Sequence, residues 1–318
     1  MAEGWYSALN EELRSVDAVI MDEVRTAYPE LNDMCEDTLS ARNHELRPAL
    51  CILSYYANGG KDRTEAVRIS ACFQTVFDGL HLHDRINGEG KVMVERKRLF
   101  SKEPSTTKVI VAGDFMYVMG FRQAYAHSPG LVPYLMKVSA SISDGIFLFV
   151  DHEHDPEVTE EVCMGILDMR RAVEFQILME SAAKLGGGSL EDVTRMNECG
   201  QYIGRAVELM MEMEDLYGSK EVKKPPMDSL IAGYPTLPIY YAMQDARVGP
   251  KIKEAFADRQ LGPKEAAEAV AMIKQTNSSE RCRAHVAECR SKAVSLIKEL
   301  PDSDYKTMLL AFTDTLVI

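Results

Sequence analysis

Two short stretches concentrate side chains able to handle a charged ligand. The first is Gly79-Leu80-His81-Leu82-His83-Asp84-Arg85-Ile86-Asn87, and the second runs from Gly204 to Gly218 through Glu208, Met211, Glu212, Glu214 and Asp215. They look like a matched pair of metal-binding helices from which most ligands have been removed. Arg85 stands out. A guanidinium keeps its charge at any accessible pH, so it would repel a metal ion yet fork onto a phosphate. His81 and His83 read as packing or hydrogen-bonding histidines. Asp151-His152-Glu153-His154-Asp155 resembles a metal cluster in composition, but it falls between helical segments and reads as a solvated loop.

The elements that must position these residues are helical. From Thr159 to Leu185, Val162, Ile166, Met169, Val173 and Ile177 recur at three- and four-residue spacing, the signature of one buried helix face. Asp155-Pro156 is a cap and first-turn signal before it, and Gly186-Gly187-Gly188 ends it. A second helix is predicted over 281–299 with Val286, Cys289, Ala293 and Ile297 inward, and a last one over 303–318. The apolar run 108–121 reads as a buried helix rather than a strand. Breaks at Gly88–Gly90, Ser128–Gly130, Asp151–Pro156 and Lys223–Pro226 read as inter-helix loops. No linker is biased enough to cut the chain, which predicts one all-α domain over 1–318.

Composition narrows the function. A formal charge of -13 over 318 residues argues against nucleic-acid binding, because phosphate backbones need a basic face. The N-terminus lacks a secretory core, and no apolar run approaches the roughly 20 residues of a membrane-spanning helix. The seven cysteines are scattered and include no Cys-x-x-Cys pair. That pattern predicts no zinc site or disulfide framework and suggests a reducing cytoplasm.

In order, the chain presents Leu46-Arg47-Pro48, Gly59-Gly60, His83-Asp84, Ala112-Gly113-Asp114, Arg171-Ala172, Gly204-x-Ala206 through Asp215, Lys224-x3-Asp228, Thr236-Leu237-Pro238 and Leu300-Pro301-Asp302-Ser303. This series resembles the trans-isoprenyl diphosphate synthases, or polyprenyl synthetases, over nearly the whole chain. The resemblance implies a single-domain helical bundle of the isoprenoid-synthase type around a central cavity. It also implies head-to-tail prenyl transfer from an allylic diphosphate to isopentenyl diphosphate. In that family two facing Asp-Asp-x-x-Asp motifs hold three magnesium ions, which stabilise the departing diphosphate.

Against that pattern Asp84 keeps the first acidic position of the first motif, while Arg85 and Gly88 replace two others. In the second motif Met211 and Glu212 stand at the first two positions and Asp215 at the last. The resemblance leaves Asp84, Glu212 and Asp215 as the metal-site carboxylates, with magnesium binding weakened. It makes Arg47, Arg85, Arg96, Arg171 and Lys224 the diphosphate-binding cations, and His44 with Arg47 the isopentenyl diphosphate side. The family's Phe-Gln before the second motif becomes Val207-Glu208, and its upstream histidine falls on Phe77. Gly79 and Leu80 occupy positions that help set chain length, where nothing bulky would block a prenyl tunnel. No residue is assigned a catalytic role.

The resulting expectation is a homologue with impaired or absent independent chain elongation: a non-catalytic or partner-dependent subunit, or a prenyl diphosphate binder. It would act as a homodimer or as a heterodimer with an active synthase. The alternative is a divergent magnesium-dependent prenyltransferase.

Overall fold

The computed structural model describes residues 7–39, 45–86, 105–218 and 227–318. Every regular element among them is helical, as the periodicity requires. The helices are α1 (Asn10–Glu23), α2 (Pro29–Leu39), α3 (Leu46–Ala57), α4 (Arg63–His83), α5 (Thr106–His127) and α6 (Val132–Asp151). There follow α7 (Glu160–Leu167), α8 (Val173–Leu185), α9 (Leu190–Tyr217), α10 (Asp228–Ile231) and α11 (Leu237–Met243). The last four are α12 (Gly249–Ala257), α13 (Pro263–Ile273), α14 (Ser278–Lys298) and α15 (Asp304–Thr313).

The chain divides into two compact units. One comprises residues 1–138, 177–197 and 299–311; the other comprises 139–176, 198–298 and 312–318.

The first unit is organised on α3 and α4. Pro48 through Tyr55 are all buried, as befits a helix apolar on every side. Asp62 starts α4 by accepting the N–H groups of Thr64 and Glu65 at 2.8 and 3.3 Å, an N-cap that satisfies two otherwise orphan donors. Helices α4 and α5 pack at a close approach through glycines. A Cβ on Gly79 would lie 2.7 Å from both the Gly113 carbonyl oxygen and the Tyr117 nitrogen. Gly79 therefore serves this backbone contact, which gives it a purpose other than leaving a tunnel open.

In the second unit α11 is the buried centre, with Leu237, Pro238, Ile239, Tyr241, Ala242 and Met243 all inside. It packs against α7, α12 and α14. The inward residues predicted for α14, Val286, Cys289, Ala293 and Ile297, are all buried.

Three expectations are corrected. The stretch 159–185 is not one regular helix: a π segment, Asp168–Ala172, joins α7 to α8. Of the predicted stripe Ile166, Val173 and Ile177 are buried, whereas Val162 and Met169 are only half-covered and Cys163 and Leu167 are buried in addition. The cap is Thr159, whose hydroxyl accepts the Val162 N–H at 3.3 Å, and Asp155 instead receives Glu157 N–H in the preceding turn.

The helix over 108–121 exists within α5 but is covered on one side only. Val111 and Val118 are 53% and 55% exposed. Finally, residues Pro129–Asp151 form a helical stretch of 23 residues that contains an 18-residue window with mean hydropathy 1.2, 33% of it buried. It meets the length and apolarity of a membrane span, contrary to expectation, although it carries Lys137, Asp144 and Asp151.

Candidate functional site

In the first unit, α4 ends at His83, before the motif it was expected to carry. Asp84 is the C-cap residue, and its N–H reaches the Leu80 and Leu82 carbonyls. Arg85 and Ile86 continue as a tight turn, donating to Leu82 and His83 oxygens at 3.2 and 3.0 Å. Asp84 and Arg85 thus sit half-buried beyond the helix.

His83 is fixed sideways. Its Nε2 lies 3.2 Å from the Ile110 carbonyl oxygen and 3.2 Å from Asp114 Oδ1. This contact joins two sequence motifs, His83-Asp84 and Ala112-Gly113-Asp114, that are far apart in the chain. Because a Cβ on Gly113 would stand 2.4 Å from His83 Nε2, that glycine makes room for the imidazole.

Arg47 is half-buried and places its guanidinium carbon 5.8 Å from the Phe77 ring centroid. At that range the ring face attracts the cation. His44, Arg96 and Lys224 lie outside the described residues.

In the second unit, the C-terminal half of α9 carries the second motif. Met211 is 50% exposed. Asp215 is engaged by backbone: its Oδ1 accepts Asp228 N–H at 2.9 Å and its Oδ2 accepts Ser229 N–H at 3.1 Å. The Ser229 hydroxyl also donates to Oδ2. Asp215 is therefore the cap of α10.

Glu212 is sheltered. Its Oε2 has no hydrogen-bond partner, and burial first, then the Glu208 and Asp215 carboxylates, push its pKa well above the ordinary carboxylate range. The Leu237 N–H opposes that shift.

The cations of this unit fall into two classes. Arg205 makes a two-point fork on Asp168, with Nε–Oδ1 2.6 Å and Nη2–Oδ2 2.5 Å. Arg171, one residue from the end of the π segment, lies 3.7 Å from Glu174 and 3.7 Å from Glu208. Of the two partners available to Arg171 on its own helix, Asp168 and Glu174, the structure gives Glu174, and Asp168 goes to Arg205.

At the second motif Asp215 is already engaged within the chain. One of Asp215's oxygens caps a backbone N–H and the other receives two donors. A thioether at 211 is too soft a ligand for magnesium. Among the described residues no group of three His, Cys, Asp or Glu side chains is gathered to hold a metal ion. The 151–155 loop is not a solvated one: residues 152–155 are half-buried, His152 pairs with Asp155 at 2.8 Å, and His154 turns its Nδ1 to the Phe256 carbonyl at 2.9 Å.

Sequence reasoning missed one polar cluster. The Tyr241 hydroxyl lies 2.6 Å from Glu160 and 2.7 Å from His285 Nε2, and the Arg281 guanidinium covers its ring at 3.6 Å. Tyr241 and Arg281 border an open polar depression of about 490 Å³ that also includes Arg247 and Gln275. The partners come from α7, α11 and α14, and no local spacing links them.

Residues 28–273 match the family described as polyprenyl synthetase. The octaprenyl diphosphate synthase of Haemophilus influenzae is 25% identical across 94% of this chain and 97% of its own. Heptaprenyl diphosphate synthase component 2 of Geobacillus stearothermophilus is 22% identical across 96% and 94%. The crystal structure of a decaprenyl diphosphate synthase from Rhodobacter capsulatus superimposes with a TM-score of 0.85 at 20% identity. It covers 99% of this chain and 98% of that one, which shows the shared fold.

Proposed function

The chain belongs to the polyprenyl synthetase family, and from that premise we propose a diphosphate-binding member with impaired or absent independent chain elongation. It is a non-catalytic or partner-dependent subunit of isoprenoid biosynthesis. One observation carries the reading: Asp215, the last acid of the second motif, is the cap of α10 instead of an open ligand. Met211 reinforces it by lacking a carboxylate.

Ligand recognition falls to cations. Arg47, Arg85 and Arg171, with Arg96, Lys224 and His44, take the phosphate-facing and isopentenyl-side roles; as bidentate donors, arginines recognise phosphate without a metal. Magnesium enters this reading weakly, through Asp84 and whatever the diphosphate itself brings. Losing one charge-stabilising donor costs about 10²–10³ in rate at a transition state, so the loss of several ligands disfavours solitary turnover. Both units serve one domain.

The assembly proposed is a homodimer or a heterodimer with an active synthase. The Val111, Val118 and Tyr125 stripe on α5, exposed by 53%, 55% and 78%, supplies an apolar face at seven-residue spacing. The name of the Geobacillus relative, component 2, favours a multi-component arrangement. Seven free, buried thiols suit a reducing cytoplasm.

A second reading, a divergent magnesium-dependent prenyltransferase, draws support from the full-length match to synthases. Incubation of the purified protein with magnesium, isopentenyl diphosphate and allylic diphosphates of several lengths decides between them. Only traces of extended product are expected from the protein alone; robust elongation establishes the second reading.

A further inference from the structure

In the first unit a cavity of about 250 Å³ lies between three helices: α1 supplies Val19 and Asp22, α4 supplies Arg68 and Cys72, and α5 supplies Gln123. Gln123 is 2% exposed, and neither Oε1 nor Nε2 of its carboxamide has a hydrogen-bond partner among the described residues. Buried side-chain polar atoms are in the large majority bonded, and each unmade bond carries the desolvation cost of its group. Exchanging the two amide atoms would change nothing, since donor and acceptor are both unmet. The cavity that Gln123 lines is the adjoining space in which a partner fits.

Size and charge narrow the occupant. At roughly 30 Å³ per water, the space exceeds one bound water several-fold. It is also below the ~300 Å³ at which sites for drug-sized ligands begin, so it suits a single small ring. Glu23, also in the lining, is engaged by Arg122, whose Nη2 reaches the Glu23 carbonyl at 3.1 Å and its carboxylate. Asp22 and Arg68, both exposed, bring opposite charges to the lining, so no net charge is called for in a ligand. Val19 and the buried Cys72 add apolar wall. The two helices on either side of the amide cannot draw together to close the space. One turn before Gln123, a Cβ on Gly120 would already lie 3.0 Å from the Cys72 carbonyl oxygen.

We propose that this cavity is a binding site for a small uncharged ring with an N–H donor beside a carbonyl acceptor, a lactam of the pyrimidine-base type, which pairs with the Gln123 carboxamide at two points. The terminal torsion of glutamine is broad, so the amide turns to meet the lactam edge. The site is independent of the diphosphate-binding reading above.

Equilibrium dialysis with uracil is the test, with 1,3-dimethyluracil as the ring that keeps the acceptors and loses both N–H donors. The full-length protein is compared with Gln123→Met, which keeps the length of the side chain and removes its polar atoms. Uracil is expected to bind the unaltered protein, and binding is expected to weaken about tenfold or more when either the ligand or the side chain is changed. Because Gln123→Met removes two unmet groups, its urea midpoint without ligand is expected to equal or exceed that of the unaltered protein. That measurement separates lost recognition from lost folding.

If the unaltered protein does not bind uracil, the site is overturned. If dimethyluracil binds as well as uracil, or Gln123→Met binds uracil as well as the unaltered protein, the two-point pairing fails and the proposal with it. A lower urea midpoint for Gln123→Met without ligand shows an amide already satisfied by trapped water, and this too overturns the proposal.

Discussion

Asp215 Oδ1 accepts the backbone N–H of Asp228 at 2.9 Å. Oδ2 takes Ser229 N–H at 3.1 Å, and Met227 N–H returns to the Asp215 carbonyl at 3.0 Å. A carboxylate with these donors anchors the short helix α10, which begins after Met227 in a left-handed conformation, φ 63°. In Asp215→Ala that anchor is lost at a cost of about 1–2 kcal/mol, the usual range for a lost cap. Urea denaturation reads it as a lower midpoint with an unchanged slope. A variant with unchanged stability removes the capping role.

The close approach of α4 and α5 makes Gly79 sensitive to a single methyl group. In Gly79→Ala the added carbon meets backbone atoms at 2.7 Å on the neighbouring helix, and backbone cannot swing aside as a side chain can. The helices must separate, with an expected loss of about 1–3 kcal/mol typical of overpacking. A thermal melt at neutral pH is the measurement, and an unchanged melting temperature counts against the contact.

The Arg205–Asp168 fork sits at the start of the π segment, and its loss is expected to loosen α9 from that segment. Asp168→Asn keeps the shape but removes the charge that also raises the Arg205 pKa. A charge-assisted hydrogen bond contributes about 1.5–3 kcal/mol, and partial exposure of both side chains, 24% and 26%, places this one near the low end. Hydrogen exchange at 168–173 is expected to quicken in the variant; equal protection in both proteins refutes the coupling.

Buried thiols predict an alkaline weakness. Burial pushes Cys51, Cys72, Cys163 and Cys199 up to about 12, against about 8.5 in an unfolded chain. An acid whose folded pKa is raised holds its proton longer in the native state, so the unfolded state binds fewer protons and stability falls as pH rises. The loss begins near pH 8.5 and continues towards 12, at about 1.4 kcal/mol per pH unit for each such cysteine. Urea midpoints at pH 7.5 and 9.5 measure it. At pH 8, iodoacetamide should label these cysteines only after denaturant is added, and rapid labelling of the native protein contradicts their burial.

Much of this protein was legible from residue order. Three- and four-residue apolar spacing located α14 and its inward Val286, Cys289, Ala293 and Ile297, because a helix face is a local property of the chain. Ordered short motifs carried the family assignment, and the absent carboxylates at Arg85 and Met211 are visible in the sequence itself. The π segment at 168–172 was not legible, since its extra residue per turn leaves the composition unchanged.

Side-chain partners lay beyond the sequence for a physical reason. Whether Asp215 ligates a metal or caps α10 depends on Asp228 and Ser229 returning to it after a 12-residue excursion. Arg171 lies 3.7 Å from Glu208, which another helix supplies. That Gly79 meets the backbone of α5 is visible only in space. The sequence alone determined an all-helical polyprenyl synthetase homologue with altered motif charges. Only tertiary structure decided what the remaining charges touch, because Coulombic and hydrogen-bond energies depend on distance in space and not on separation along the chain.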